Sequence, residues 1–141
     1  MSPSEPAPAA TAPTAGLSPT DVVLAQLEGF RREPYAGAGA GAGIRAAWSF
    51  ASPGNREATG PVELFAEMVR GPVYGGLLGH RAAQVGPALE DGDQARLEVL
   101  LLTAVDDTIG FTWVLARQTD PPYAGCWMTD GVLRHPDRAG P

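Results

Sequence analysis

Few side chains in this sequence could carry acid–base chemistry. His80 and His135 are the only histidines, and imidazole is the side chain that titrates nearest physiological pH. Asp130 follows an apolar strand segment, and apolar surroundings raise the pKa of a carboxyl group. The candidate catalytic set for proton transfer consists of His80, Asp130 and Tyr74. Each also has a structural interpretation, since Asp130 can begin a turn and His80 can be a hydrogen-bonded strand-edge residue.

The remaining reactive residue types exclude several other chemistries. Cys126 is the single cysteine, so no internal disulfide forms, and a buried thiol behaves as a small apolar side chain. His80, His135 and Asp130 lack a metal-ligand spacing, and we predict no metal site. All ten basic residues are arginines, which excludes Schiff-base and pyridoxal-phosphate chemistry. We therefore expect no metal and no organic cofactor.

The alternating segment YAGAGAGAG, residues 35–43, contains the only candidate nucleotide motif. Gly37, Gly39 and Ala42 fit the loose form G-x-G-x-x-A. That motif binds a pyrophosphate only between a strand and a helix, and the preceding segment has helical spacing. A P-loop would need a lysine. We therefore interpret the segment as a flexible connection between two helices.

Composition and charge limit the class of protein. The formal net charge of −6 and the isoelectric point of about 4.7 oppose binding to nucleic acid. No apolar run approaches the 18 or more residues of a membrane span, and the Pro/Ala-rich start resembles neither a signal nor a transit peptide. We expect a cytoplasmic protein without a membrane contact. Residues 1–17 are predicted to be a disordered tail, 18–135 one domain, and 136–141 a disordered end.

The periodicity of apolar residues changes from helical to alternating near Leu78. Before it, three helices are predicted: one from the Ser18 cap to about Arg32, one from about Gly43, and one from about Gly60. After it, four strands are predicted, over HRAAQVGPAL, QARLEVLLLT, FTWVLARQ and CWMTDGVL. Helices followed by an antiparallel sheet indicate an α+β fold, with three helices on one face of a curved four-stranded sheet.

Four stretches make the sequence resemble a known family. SPTDVVLAQLEGF, FASPGN, MVRGPVYGGLLGHR and YAGCWMTDGV resemble, in that order, the family called domain of unknown function 4864. The resemblance covers Ser18 to about Leu133. It implies membership of the nuclear-transport-factor-2-like superfamily, also described as SnoaL-like or ketosteroid isomerase-like. It further implies a cone, in which a bent sheet wraps on three helices around an open pocket. It implies no activity, because that superfamily holds both enzymes and non-catalytic modules.

Two functions are compatible with these observations. The first is a non-catalytic module that binds a small apolar or weakly acidic ligand in the cone, or that forms a homodimer through its sheet face. The second is an isomerase or dehydratase that uses His80 and Asp130 without a cofactor. The predicted pocket residues are Trp48, Phe65, Met68, Trp113 and Trp127. The predicted dimer patch consists of Leu100, Leu102, Val114 and Ala116.

Overall fold

The computed structural model describes residues 12–33 and 41–136. Within them, four α-helices precede five β-strands, which confirms the α+β class and corrects the expected numbers of three helices and four strands. The helices are α1 (Pro19–Arg32), α2 (Ala42–Trp48), α3 (Pro53–Thr59) and α4 (Val62–Arg70), followed by a 3-10 turn, Gly75–Leu77. The strands are β1 (Ala82–Val85), β2 (Leu89–Asp91), β3 (Gln94–Leu102), β4 (Thr108–Arg117) and β5 (Trp127–Arg134).

The additional helix, α3, begins where the sequence pattern predicted only a turn. The Ser52 hydroxyl accepts a hydrogen bond from the backbone N–H of Asn55 at 3.2 Å, and Pro53 occupies the first helical position. Serine at the cap followed by proline is a helix start as well as a turn signal. The tertiary structure selects the helix, because an isolated parallel β-bridge between Ala51 and Thr129 places Ser52 against the sheet.

The predicted first strand is divided into β1 and β2 by a bulge. Both pair antiparallel with β3, so they follow one another along the same edge. Val85 lies opposite Val99 and Leu89 lies opposite Arg96, which leaves one extra residue on the edge strand. Pro87 has no N–H to donate at this point, and proline in a sheet is confined to edges and bulges.

The sheet has the order β1-β3-β4-β5, with every pairing antiparallel. A second bulge lies in β5, where Val114 pairs with Gly131 and the next residue, Leu115, pairs with Thr129. Asp130 is therefore the unpaired extra residue. Because bulges increase the local twist and bend the strand, both edges of the sheet deviate from a flat ribbon.

The core lies between the helices and one face of the sheet. The inward-facing alternate residues of β3 and β4, including Leu97, Leu101, Phe111 and Trp113, are at most 3% exposed. The buried side chain of Gln26 on α1 crosses this core: its Nε2 donates to the carbonyl of Ala47 at 2.9 Å, and its Oε1 accepts from Trp113 at 2.8 Å and Thr129 at 2.6 Å. One polar side chain thus joins α1 and α2 to β4 and β5.

Helices α1 and α2 cross at two glycines. A Cβ built on Gly29 would lie 2.7 Å from the carbonyl oxygen of Gly43, and the reciprocal contact of Gly43 with the Gly29 carbonyl is closer still. Beside the crossing, the Glu33 carboxylate accepts hydrogen bonds from the N–H groups of Gly41 at 2.6 Å and Ile44 at 2.9 Å. The C-terminal end of α1 therefore caps the start of α2.

Several sequence predictions concern residues that lie outside the described ranges. These are residues 1–11 of the predicted tail, residues 34–40 of the predicted glycine connection, and residues 137–141 of the predicted disordered end. In the described part of the predicted tail, Leu17 is partly buried and packs against the core. No helix within the described ranges is long and apolar enough to cross a membrane.

Candidate functional site

Two depressions differ in how deeply they enter the described part of the protein. The larger, about 360 Å³, lies among the turns at the end of the sheet, and side chains such as Val73, Ala104 and Val105 that line it are exposed. The smaller, about 200 Å³, is lined in part by Phe30, Phe65, Val69 and Leu77, each at most 6% exposed. Only the smaller depression reaches the hydrophobic core, and it is the candidate site.

We call this smaller depression the apolar cleft. Helices α1, α3 and α4 and the 3-10 turn form one side, and the C-terminal half of β5 forms the other. Its lining consists of Phe30, Asn55, Thr59, Phe65, Met68, Val69, Tyr74, Leu77, Gly131, Val132 and Leu133. None of these side chains carries a formal charge at neutral pH. Phe30 and Phe65 stack at a centroid distance of 6.4 Å and contribute two aromatic rings to the wall.

Tyr74 joins the helical side of the apolar cleft to β5. Its hydroxyl donates to the carbonyl of Val132 at 2.9 Å, and its ring stacks on Phe111 at a centroid distance of 6.3 Å. The phenolic oxygen keeps its acceptor lone pairs, because a hydroxyl both donates and accepts. Tyr74 is thus held in one orientation by packing and by a hydrogen bond.

Two polar side chains of α3 complete the lining. The Asn55 amide donates to the carbonyl of Thr129 at 3.1 Å, and the Thr59 hydroxyl donates to the carbonyl of Asn55 at 3.0 Å. The first bond fixes α3 to β5, and the second is an i to i−4 bond within the helix. Both residues therefore have defined positions beside the cleft.

His80 lies outside the apolar cleft, in the buried part of the segment between the 3-10 turn and β1. Its side chain is 4% exposed, and Nδ1 donates to the Leu77 carbonyl at 2.8 Å. The carbonyl can only accept, so the neutral ring carries its proton on Nδ1. Burial lowers the pKa of His80 below its ordinary value, and the nearby Arg31 lowers it further, while the Leu77 carbonyl and Glu28 act in the opposite direction.

Asp130 and His80 are not brought together. His80 precedes β1 and Asp130 lies in β5, on opposite edges of the sheet, and Asp130 is exposed. Their positions can be compared along β4. The backbone N–H of Arg81, next to His80, donates to the carbonyl of Leu102, which pairs with Thr108 of β4. Asp130 is next to Gly131, which pairs with Val114 of β4. The six residue steps from Thr108 to Val114 correspond to about 20 Å at roughly 3.3 Å per step along a strand. A direct proton transfer between the two is therefore excluded in this conformation.

The predicted pocket residues occupy different parts of the molecule. Phe65 and Met68 line the apolar cleft. Trp113 is fully buried in the core, with its indole N–H bonded to Gln26. Trp48 and Trp127 face arginines: the guanidinium of Arg56 lies 4.3 Å from the Trp48 ring centroid, and that of Arg117 lies 5.4 Å from the Trp127 centroid.

Sequence reasoning missed Asn55, Thr59 and the residues 131–133 as parts of a site. Asn55 and Thr59 are four residues apart and share a face only if α3 is a helix, and this segment was predicted as a turn. Residues 131–133 reach the cleft through the packing of β5 beside α3, for which the sequence carries no local signal. The one usable signal was the i, i+4 spacing after a Ser-Pro cap.

The outer face of the sheet carries the predicted dimer patch in two pieces. Leu100 and Leu102 lie opposite Gly110 and Thr108, whereas Val114 and Ala116 lie opposite Arg96 and Gln94. Between the two pieces is a polar cluster: the Thr112 hydroxyl bonds to Glu98 at 2.8 Å and to His135 at 2.7 Å, and His135 lies 3.0 Å from Glu98. The predicted patch is therefore interrupted.

Comparison with known proteins adds no assignment. No family model, curated protein or solved structure matches this chain. Within the described ranges, His, Cys, Asp and Glu side chains do not gather in groups of three or more that could hold a metal ion.

Proposed function

We propose that this protein is a non-catalytic module that binds a compact, mostly apolar molecule in the apolar cleft. The observation that carries the proposal is the make-up of the cleft: its walls are apolar and aromatic, it opens into the core, and its few polar groups are held by hydrogen bonds. Apolar concave surfaces with a small number of oriented polar groups are typical of small-molecule sites.

The proposal includes a nuclear-transport-factor-2-like cone and the resemblance to domain of unknown function 4864. Three features support it: the helices precede the sheet in the chain, they cover one face of it, and the two bulges bend its edges. The apolar cleft also lies between helices and sheet, where a cone would open. No activity follows from this fold, since such folds carry many functions.

The arrangement of titratable groups supports the non-catalytic form of the proposal. An isomerase or dehydratase needs a general base within hydrogen-bond reach of its substrate. His80 donates its Nδ1 proton to a backbone carbonyl, and Asp130 is exposed at the far edge of the sheet. Among the described residues, Tyr74 is the only titratable one that lines the cleft, and its proton is donated to Val132.

The test is a titration of the full chain with toluene. Binding is monitored through the backbone amide resonances of Gly131 and Leu133 in heteronuclear NMR. We expect saturable shifts at these amides and none at Gly92, which lies in the distant turn between β2 and β3. Met68→Glu places a carboxylate at the rim of the cleft and is expected to weaken toluene binding at least about ten-fold, because that carboxylate would be desolvated by the ligand.

The matched control is Leu64→Glu. Leu64 lies on the same helix, is 50% exposed against 38% for Met68, and does not line the cleft. Toluene binding is expected to be unchanged in this variant. Absence of saturable shifts in the wild-type chain, or equal weakening by both substitutions, would contradict the proposal.

A second candidate function is homodimerisation through the outer face of the sheet. Leu100 and Leu133 are 50% and 60% exposed on that face. In a two-fold dimer, the Leu100 and Leu102 piece of one copy can pack on the Val114 and Ala116 piece of the other, and the reverse contact follows by symmetry. This arrangement would place the Glu98, Thr112 and His135 cluster near the two-fold axis.

A further inference from the structure

The volume of the apolar cleft limits the size of its ligand. The cleft is open on one side and has a volume of about 200 Å³, and an enclosed cavity of about 150 Å³ lined by apolar side chains holds one benzene molecule. A single six-membered ring with one or two further heavy atoms therefore fills the cleft. A fused multi-ring molecule would require Met68, on the exposed rim of the cleft, to move away.

The hydrogen-bonding groups of the cleft limit the chemistry of its ligand. The hydroxyl protons of Tyr74 and Thr59 are already donated to the carbonyls of Val132 and Asn55. Both hydroxyl oxygens retain lone pairs. The Asn55 amide donates one of its two N–H protons to Thr129, and its second N–H and its Oδ1 remain as one donor and one acceptor. The side chains of the lining thus offer three acceptor oxygens, on Tyr74, Thr59 and Asn55, against one remaining N–H donor, and the Tyr74 oxygen is fixed in place by its bond to Val132.

The charge of the surroundings disfavours an anion. The described residues of the lining include no arginine, lysine or histidine, and an anion would meet neither a cation nor a free hydroxyl proton among them. A carboxylate that leaves water without such partners loses much of its solvation free energy. The formal net charge of −6 adds a repulsive field.

We infer that the ligand of the apolar cleft is a neutral, single-ring molecule that carries a hydroxyl group, as a phenol or an alicyclic alcohol does. The hydroxyl donates a hydrogen bond to the Tyr74 oxygen while the ring packs among Phe65, Met68 and Val69. This inference rests on the proposed function, and it narrows the expected small apolar or weakly acidic ligand to its neutral, donor-bearing form.

The test compares four probes of similar size on the wild-type chain at pH 7.5: toluene, anisole, phenol and benzoate. Phenol alone has a neutral donor; anisole has the oxygen without the proton, and benzoate is ionised. From the amide shifts of Gly131 and Leu133 we expect phenol to bind about 2- to 10-fold tighter than anisole or toluene, which is the fold-change of one net hydrogen bond. Benzoate is expected to bind weakest.

The Tyr74→Phe variant tests whether the Tyr74 oxygen accepts the hydrogen bond from the ligand hydroxyl. This variant is expected to lower the affinity for phenol to that for toluene while leaving toluene binding unchanged. Tyr123→Phe is the matched control, since Tyr123 is also partly buried and accepts a hydrogen bond from Arg56 outside the cleft. The ranking of the four probes uses only the wild-type chain and so does not depend on the folding of either variant.

The possible outcomes separate the inference from the proposed function. Benzoate binding as tightly as phenol, or anisole binding as tightly as phenol, would overturn the neutral-donor inference while toluene binding still supports the site. A Tyr74→Phe variant that folds and retains the phenol preference would overturn the assignment of the acceptor. If toluene, anisole and phenol all leave Gly131 and Leu133 unshifted, the site itself fails and the inference falls with it.

Discussion

Gly43 illustrates how a single missing side chain sets the packing of two helices. A Cβ at this position would collide with the Gly29 carbonyl and lie 3.1 Å from the backbone of Glu33. Gly43→Ala is therefore expected to lower the free energy of unfolding by about 1–3 kcal/mol, the usual effect of overpacking, even though alanine is the better helix former. Urea unfolding followed by circular dichroism measures the change.

Gly54 provides the control for that prediction. It lies in α3, and a Cβ there would meet no atom within 4 Å. Gly54→Ala is therefore expected to raise the free energy of unfolding by about 0.5–1 kcal/mol through helix propensity alone. A Gly43→Ala variant that is stabilised to the same extent as Gly54→Ala would refute the close crossing of α1 and α2.

His80 makes the stability depend on pH. Burial lowers its folded pKa below the 6.5 of free imidazole, so the unfolded chain binds the proton more tightly. The contribution of neutral His80 to the free energy of unfolding is therefore fully present above about pH 6.5. It is lost as the pH drops toward the folded pKa, with a slope of at most about 1.4 kcal/mol per pH unit for one proton. Urea unfolding at pH 7.5, 6.5 and 5.5 measures this slope.

His80→Asn removes the titration but retains an N–H donor for the Leu77 carbonyl. The loss between pH 6.5 and 5.5 should shrink in this variant. A wild-type chain and a His80→Asn variant with the same pH dependence would show that another group is responsible. Glu28, whose pKa its hydrogen bond to Arg31 lowers, acts only near and below its ordinary value of 4.5.

At the scale of elements, Gln26 determines how the helices are placed on the sheet. Gln26→Leu would leave the Trp113 indole N–H, the Thr129 hydroxyl and the Ala47 carbonyl without this partner in the core. We expect a loss of about 2–4 kcal/mol, because each buried polar group without a partner costs roughly 1–3 kcal/mol and some relaxation is possible. Thermal or urea unfolding provides the measurement.

Gln84→Leu is the control for the same substitution on the surface. Gln84 is exposed on β1, and its replacement should change the free energy of unfolding by no more than about 0.5 kcal/mol. A Gln26→Leu variant as stable as Gln84→Leu would mean that the core hydrogen bonds contribute nothing that apolar packing cannot replace.

At the scale of the whole molecule, the proposed homodimer predicts that the state of association depends on the outer face of the sheet. We expect a dimer in sedimentation equilibrium at tens of micromolar, and Leu100→Glu should dissociate it, because a two-fold interface would bury the new carboxylate twice. Val105→Glu is the control, since Val105 is 76% exposed in the turn between β3 and β4. A wild-type chain that sediments as a monomer would rule out this interface.

The sequence by itself determined the α+β plan and much of its local detail. Ser18, Pro19 and Asp21 predicted the start of α1 correctly, because a capping box is formed by neighbours in the chain. Alternation predicted β3 and β4, since side chains of a strand point to opposite faces whatever the strand packs against. The single cysteine and the net charge of −6 are properties of the composition and do not depend on the fold.

Tertiary structure decided where the chemistry lies. Ser52–Pro53 is compatible with a turn or a helix, and only contact with Thr129 selects α3 and places Asn55 and Thr59 beside β5. The register of β4 with β5 makes Asp130 a bulge and puts it far from His80. These outcomes depend on pairings between distant residues, such as Asn55 and Thr129, which are 74 positions apart. The free energy of such contacts is a property of the assembled fold rather than of any sequence window.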